Sequence, residues 1–598
     1  MSIVLALAQR YADSILGARK FTMRYLALAC DYDGTLAAAG RVSEATSAAV
    51  RRLRASGRKF LLVTGRQLGD LLTVFEDVDL CDWIVAENGA LLYCPGTREE
   101  KCLADPPPVE LIRELQRRNV PLAVGRAIIA TWQPHETTVL EAIRDLGLER
   151  QVIFNKGAVM VLPSGVNKAT GLVAALSALE LSSHNVVGIG DAENDHAFLR
   201  LCECSVAVEN ALPMVKETAD LVTAGDHGAG VVELIDRLLD GELADVEPRL
   251  TRHHILVGTQ ESGQEMRIPP YGVNILLAGT SGSGKSTLAT GLLERMTEHG
   301  YQFCVIDPEG DYEYFEGAVV LGDSQRAPSV EQVQQLLKKP HQNAVVNLVG
   351  LPLADRPKFF SDVLPRLQEL RIKTGRPHWL VIDEAHHLLP SGWEPAASAL
   401  PPELMPLMLI TVHPNQVADA LLSTVDVVIA VGNAPDATLR ETAGPLGQET
   451  DTLSSLSAVL EPGEVLFWSK RSSSGPVRLR IAPCRMERVR HRRKYAEGDL
   501  GPDRSFYFQG PEGKLNLRAQ NLLFFMQLAE GVDDDTWTHH LRRHDYSKWF
   551  REAIKDEVLA DQASQIEEQA ELSAAESRAL IKETISEHYT LPASSPTA

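Results

Sequence analysis

The sequence contains no CxxC pair, and its 8 cysteines are scattered over 598 residues. That excludes a disulfide framework or a zinc knuckle and leaves the thiols as reduced core residues. No apolar run approaches the ~18 residues that a membrane span needs. Met1 to Gly17 also lacks the positively charged start of a signal peptide. The expectation is a cytoplasmic protein with no membrane partner. Positive charge is in deficit: 59 Lys and Arg stand against 80 Asp and Glu, a net charge of −21. Such acidity disfavours nonspecific binding to nucleic acid, although a local basic face can still meet phosphates. Internal repeats are absent as well.

What is present is the composition of a soluble globular protein, 44% hydrophobic and 23% charged. The length predicts roughly three to five folding units. From Tyr25 to Cys30 an apolar strand runs into Asp31, and strand-like and helix-like segments then alternate to about Leu239, the mark of a parallel α/β sheet. The polar stretch Asp240 to His254 separates this from a second α/β unit that ends near Pro483. The domain ranges read from this are 21–240, 252–485 and a mainly helical 499–590, with a disordered tail over 591–598.

In the first domain, Asp31-Tyr32-Asp33-Gly34-Thr35-Leu36 puts two carboxylates two residues apart directly after a strand, with a glycine that lets the chain turn. Asp-x-Asp-Gly also occurs in calcium loops and ordinary turns. Further segments follow in order: Leu61-Leu62-Val63-Thr64-Gly65-Arg66 ends a strand on a hydroxyl, and Lys168 follows Gly165-Val166-Asn167. Gly188-Ile189-Gly190-Asp191-Ala192-Glu193-Asn194-Asp195 then ends another strand on acids. Together these resemble the haloacid dehalogenase (HAD) superfamily of phosphohydrolases and imply its Rossmannoid fold. The resemblance implies that Asp31 attacks phosphorus to form an aspartyl-phosphate, while Asp33 protonates the leaving oxygen and then activates water. It further implies that Thr64 and Lys168 hold the phosphoryl oxygens. Asp31, Asp191 and the Asp33 carbonyl would bind Mg²⁺, with Asn194 and Asp195 close behind and Asp195 included among the metal-site residues. Glu87-Asn88-Gly89-Ala90 and Val206-Ala207-Val208-Glu209-Asn210-Ala211 look like the branch with an α/β cap, placed here at about 91–164. Such caps close over small phosphorylated metabolites, sugar phosphates or phosphoglycolate among them. Arg113, Arg117 and Arg126 are the cap's candidate substrate contacts.

In the second domain the apolar strand Asn274 to Ala278 runs into Gly279-Thr280-Ser281-Gly282-Ser283-Gly284-Lys285-Ser286, a full GxxxxGK[ST] loop followed by Thr287. Its glycines let backbone N–H groups converge on the phosphates of ATP; Lys285 neutralises charge and Ser286 ligates Mg²⁺. Downstream, Trp379-Leu380-Val381-Ile382-Asp383-Glu384 ends a strand on two acids, Asp383 for the metal and Glu384 to polarise water. With Val305-Ile306-Asp307-Pro308-Glu309-Gly310-Asp311-Tyr312 and Asp383-Glu384-Ala385-His386, the domain resembles HerA/FtsK-type ATPases with a P-loop, RecA/ASCE-like α/β fold. That resemblance implies a homo-oligomer, hexamer or dimer, and makes Arg371 and Arg440 arginine-finger candidates. Thr411 or His413 would sense the γ-phosphate, with Gln416 as the substitute for a missing sensor glutamine. The N-terminal β-barrel common in such motors is replaced here by the phosphatase, which counts against a ring. His386 and His387, neighbours on a helix, should point about 100° apart and so are read as packing or partner contacts, not a metal pair.

Arg485 to Lys494 is the one dense basic cluster, read as a linker or edge strand before a polyanion contact. Beyond it Trp537, His539, His540, Arg542, Arg543, Tyr546, Trp549 and Phe550 are read as core anchors before nucleic-acid stackers. The leading expectation is a bifunctional hydrolase: a Mg²⁺-dependent phosphatase of small metabolites joined to an ATPase. The alternatives are a DNA-translocating or defence ATPase with a nucleotide or nucleic-acid-end phosphatase, and a polynucleotide kinase–phosphatase. Asp383-Glu384 and the cap count against the last.

Overall fold

The computed structural model describes residues 23–155, 157–280, 283–323, 325–391, 406–444, 446, 460–470, 475–485, 500, 504–511, 513, 515–554, 556–569 and 571–588. The chain divides into one unit up to Ala482 and a second from Pro483.

Among the described residues the first unit holds three sheets. In the phosphatase sheet the order is Leu221–Val222, Cys204–Ala207, Val186–Gly190, Ala27–Cys30, Lys59–Val63, Trp83–Ala86, Leu91–Cys94 and Glu99–Cys102. The first six are parallel and the last two antiparallel. Ala27–Cys30 and Val186–Gly190 are buried at every position, as strands covered on both faces must be. They are also paired neighbours, Cys30 opposite Ile189, so the acids that follow them emerge side by side at the carboxyl edge. Residues 91–102, read from sequence as the start of the cap, form the antiparallel edge of this same sheet. A separate four-stranded antiparallel sheet, ordered Ala123–Val124, Ile129–Trp132, Ala158–Pro163 and Arg150–Asn155, carries the helices Val109–Arg117 and Glu136–Asp145.

Among the described residues the ATPase sheet has eleven strands. Its parallel part runs Val427–Val431, Ile275–Gly279, Leu407–Thr411, Trp379–Ile382, Phe303–Asp307, Ala344–Asn347 and Val319–Leu321. Glu464–Ser469, Val477–Ile481, Ile255–Thr259 and Glu265–Ile268 extend it antiparallel, so the segment before the P-loop strand completes the sheet as a hairpin.

The phosphatase and ATPase sheets meet at a buried polar joint. Glu203, fully enclosed, accepts from Arg24 Nη2 (2.9 Å) and the Tyr301 hydroxyl (2.9 Å) and lies 2.7 Å from His184 Nδ1. His184 Nε2 reaches the His299 carbonyl at 2.7 Å, and its ring stacks on Tyr301 with centroids 3.8 Å apart. Both ring nitrogens of His184 thus face oxygen atoms, one a carboxylate and one a carbonyl. Despite the burial that opposes it, Glu203 is held well below the ordinary carboxylate range by His184 and Arg24. On the ATPase side His378 Nδ1 accepts from Gln302 N (2.8 Å). His184, Gln302 and His378 stand at the starts of Val186–Gly190, Phe303–Asp307 and Trp379–Ile382. Each catalytic end therefore lies a whole strand, roughly 17 Å at 3.3 Å per residue, from the joint.

Among its described residues the second unit pairs Phe506–Phe508 with Leu517–Ala519 and is otherwise mainly helical. Trp537 is buried, stacks on Tyr546 (centroids 4.4 Å) and donates from Nε1 to Ser577 Oγ at 3.0 Å. Trp549 donates to the Arg504 carbonyl, and Phe550 is fully buried, so these aromatic side chains build the core. The basic run from 486 onward and the tail 591–598 lie outside the described residues.

Candidate active sites

Asp31, Asp191, Asp195 and Lys168 come together at the carboxyl edge of the phosphatase sheet, each at most 4 % exposed. Lys168 Nζ donates to Asp31 Oδ1 at 2.5 Å and to Asp195 Oδ1 at 2.6 Å. The other Asp195 oxygen accepts the backbone N–H groups of Asp191 and Ala192, both at 2.9 Å, which fixes the loop that presents Asp191. Thr35 Oγ1 donates to Asp191 Oδ1 at 3.0 Å. Lys168 is the first residue of the helix Lys168–Ala178, and Asn167 caps that helix by accepting from Ala169 N and Thr170 N. Burial and the Asp195 carboxylate push Asp31 above the ordinary range, while the Lys168 ammonium opposes them. Lys168 is itself held above its ordinary value: burial lowers it, and Asp195 and Asp31 outweigh that.

Asp31 and Asp195 share one ammonium, and ligand oxygens of Asp31, Asp191 and Asp195 all lie within 4.8 Å of one another. An all-oxygen, net-negative pocket of this kind fits a hard divalent cation such as Mg²⁺. Thr64 is buried beside it, and its Oγ1 accepts from Arg66 N at 3.1 Å. A role for Arg66 was not legible in the sequence. Its guanidinium grips Asp33 with two bonds, Nε to Oδ2 at 2.6 Å and Nη2 to Oδ1 at 2.7 Å, and also reaches Asp70 at 2.6 Å. Asn194 Nδ2 donates to Asn88 Oδ1 at 3.1 Å. Buried Glu87 accepts from the cap backbone at Arg126 N and Ala127 N, 2.9 and 2.8 Å. The cap arginines do not converge on the pocket: Arg113 is exposed, while Arg117 and Arg126 pair at the surface with Glu114 and Glu100.

The ATPase site gathers Lys285, Ser286, Asp311, Asp383 and Glu384. Gly279 (φ 156°) packs so closely that a Cβ would stand 2.1 Å from the Val431 carbonyl. Gly284 (φ 95°) opens the helix Lys285–Glu298. Ser281 and Gly282 lie outside the described residues. Lys285 Nζ donates to the Gly279 and Thr280 carbonyls, both at 2.9 Å, and burial lowers its pKa against the pull of Glu384 and Asp383. Ser286 Oγ donates to Asp311 Oδ2 at 3.1 Å.

Asp311 is placed there by Asp307. The Asp307 Oδ1 accepts from the N–H groups of Glu309, Gly310 and Asp311, and its Oδ2 accepts from Tyr312 N at 2.8 Å. Burial raises Asp307 to about 6. Asp383 is likewise raised by burial and then by Asp307. Glu384, in left-handed backbone at φ 42°, has an Oε2 that makes no hydrogen bond and lies 3.4 Å from His386 Nδ1; burial, then Glu309, raise it to about 7. His386 Nδ1 is 3.1 Å from Thr411 Oγ1, which accepts from His413 N at 3.0 Å. The rings of His386 and His387, expected to point apart, meet with centroids 4.1 Å apart. Arg371 points inward and donates to the Pro377 carbonyl at 2.6 Å and the His378 carbonyl at 3.2 Å, which removes it as an arginine finger. Arg440 is half exposed and paired with Asp436.

The fold and these two sites define a phosphoryl-transfer hydrolase joined to a P-loop nucleotide-binding domain. The model of the haloacid dehalogenase-like hydrolases matches residues 28–117 and 133–235, and that of the helicase HerA central domain matches residues 274–361. Phosphoglycolate phosphatase 2 of Saccharolobus solfataricus is 32% identical over 221 residues, 36% of this chain and 92% of that protein. Phosphoglycolate phosphatase of Methanothermobacter thermautotrophicus is 31% identical over 225 residues, 36% of this chain and 98% of its own length. A solved haloacid dehalogenase-like hydrolase from Bacteroides thetaiotaomicron covers 36% of this chain and 99% of its own at 19% identity, with a TM-score of 0.33. The chain belongs to the haloacid dehalogenase-like hydrolases, and it carries a HerA-type P-loop ATPase domain in the same polypeptide.

Proposed function

We propose that the protein is a Mg²⁺-dependent phosphomonoesterase of small phosphorylated metabolites, working through an aspartyl-phosphate, whose chain also hydrolyses ATP. The observation that carries this reading is the buried Asp31–Lys168–Asp195 arrangement beside Asp191. The Asp31 carboxylate attacks phosphorus as the bond to the leaving oxygen breaks. Asp33, aimed by Arg66, gives that oxygen its proton, and then takes one from the water that cleaves the acyl-phosphate, releasing phosphate and restoring Asp31. Lys168 and Thr64 hold the phosphoryl oxygens. Asp31, Asp191 and Asp195 would hold Mg²⁺, which when bound offsets the negative charge that phosphate brings into an acidic pocket. Phosphoglycolate is the first substrate to try, since the relatives above carry that name. Asp31→Asn should abolish phosphate release from acetyl phosphate and p-nitrophenyl phosphate; retained release would remove Asp31 as nucleophile.

In the ATPase domain Lys285 would leave the loop carbonyls for the phosphates, Ser286 and Asp383 would hold Mg²⁺, and Glu384 would take the proton of the attacking water. The HerA central-domain match favours a second reading in which DNA stimulates this ATPase. ATP turnover measured with and without duplex DNA at two salt concentrations decides between a DNA-driven and a DNA-indifferent enzyme.

A further inference from the structure

The turn Glu87–Gly89 is built against the preference of its residues. Glu87, Asn88 and Gly89 stand in succession at φ 51°, 55° and 104°, and the first two carry side chains that disfavour left-handed backbone. Neighbouring segments hold the turn there. Glu87 N donates to the Arg66 carbonyl at 2.9 Å, and Asn88 N donates to the Thr64 carbonyl at 3.0 Å. Gly89 lies so near the Asn167 carbonyl that a Cβ would stand 1.9 Å from it, and Asn167 is the N-cap of the helix that Lys168 opens. Asn88 also accepts from Asn194, in the turn that carries Asp195. Glu87–Gly89 therefore touches the segments that bring Thr64, Arg66, Lys168 and Asp195 to the pocket.

The Glu87 side chain leaves this turn for the cap. Its two carboxyl oxygens each accept one backbone N–H, from Arg126 at 2.9 Å and from Ala127 at 2.8 Å, and the residue is 1% exposed. Those N–H groups belong to the hairpin turn between Ala123–Val124 and Ile129–Trp132, closed by Gly125 N on the Ile128 carbonyl at 2.8 Å. Gly125 is fitted to the carboxyl group, since a Cβ there would stand 2.6 Å from Glu87 Oε1. Beside this contact Ala90, Ala127, Ile128 and Met160 share one buried cluster, and Met160 Sδ and Cε are each 3.7 Å from the position of a Cβ on Gly65. The chain enters the cap after Cys102 and leaves it after Pro163, so the hairpin lies away from both crossings. The contact is a noncovalent seam that can part while the crossings stay.

We propose that Glu87 is the latch of the closed cap, a positioning residue whose carboxyl group holds the 125–127 hairpin against the loop Thr64–Arg66 so that water, and not a larger alcohol, reaches the aspartyl-phosphate. The inference rests on the phosphatase reading above and assigns that reaction a further residue. Loosening the latch admits other acceptors. A glycerol hydroxyl then attacks phosphorus in place of water, gives its proton to Asp33 and displaces the Asp31 carboxylate, so that glycerol phosphate leaves where phosphate would.

The test uses the full chain with Mg²⁺, p-nitrophenyl phosphate and glycerol, and counts p-nitrophenol against inorganic phosphate. The excess of p-nitrophenol measures transfer to glycerol. Two variants open the seam from opposite sides: Glu87→Gln turns an NH₂ group on one of the two N–H donors, and Gly125→Ala pushes the hairpin off the carboxyl group. Each should lower kcat/KM about tenfold and raise transfer to glycerol, relative to phosphate release, about fivefold or more. The ratio counts only molecules that turn over, so a partly unfolded preparation does not move it. A ratio equal to that of the wild type in either variant overturns the proposal, whatever happens to kcat/KM. If the wild type releases no phosphate from p-nitrophenyl phosphate or acetyl phosphate, the phosphatase reading itself fails, and this inference with it.

Discussion

Lys168 is bonded at once to Asp31 and Asp195, at 2.5 and 2.6 Å, and all three side chains are buried. The ammonium therefore performs two tasks: it holds Asp31, the proposed nucleophile, and it ties that residue to the loop carrying Asp191. Lys168→Met would leave the acids buried without their counter-charge. The expected outcome is loss of phosphatase turnover and a destabilisation of about 3–5 kcal/mol, read by urea unfolding.

The bidentate pair between Arg66 and Asp33 predicts a leaving-group effect. Arg66→Ala should lower kcat about a hundredfold for alkyl phosphates, whose leaving oxygen needs a proton. For p-nitrophenyl phosphate the first step should be spared, because p-nitrophenolate departs unprotonated. Its release should then appear as a burst ahead of slow turnover. An equal loss for both substrates in both steps would contradict this role.

In the proposed mechanism Glu384, as the acceptor of the water proton, sets the pH dependence of the ATPase. Burial and then Glu309 raise it to about 7, and a proton acceptor must be ionised. ATPase kcat/KM should therefore fall as pH drops through about 7, and Glu384→Gln should lower kcat about 10²- to 10⁴-fold with ATP binding kept. Trapping of radiolabelled ATP on the variant separates the two.

The joint makes the two catalytic halves one stability unit through Glu203. Its carboxyl is depressed below 4.5, its ordinary value, so its contribution is present in full above that pH and is lost as pH falls through the folded value. Glu203→Gln would leave Arg24 and His184 facing a neutral amide. It should cost about 3–5 kcal/mol at neutral pH, measured by thermal and urea unfolding.

Both chemistries were legible in the sequence because each sits where an apolar strand stops on charged or glycine-rich residues, as at Cys30-Asp31 and Ala278-Gly279. The partners that depend on tertiary approach were not. Arg66 is thirty-three positions from Asp33, and nothing in Thr64-Gly65-Arg66 announces the pair. Asp307 reads as an acid at a strand end, yet its carboxylate binds the backbone of the following turn and sets Asp311 against Ser286. Arg371, read as a finger, is turned inward by the carbonyls of Pro377 and His378. The joint was invisible because its members, Arg24, His184, Glu203 and Tyr301, are far apart in sequence and follow no motif.

The central claim, that phosphate passes through Asp31, is tested most directly by trapping the intermediate. Asp33→Asn protein is incubated with Mg²⁺ and p-nitrophenyl phosphate, quenched in acid and mapped by peptide mass spectrometry. A phosphoryl group on Asp31, released on hydroxylamine treatment and missing from Asp31→Asn/Asp33→Asn, is the predicted result. Burst release of p-nitrophenol with no phosphoryl group on Asp31, or the group on another residue, would contradict the account.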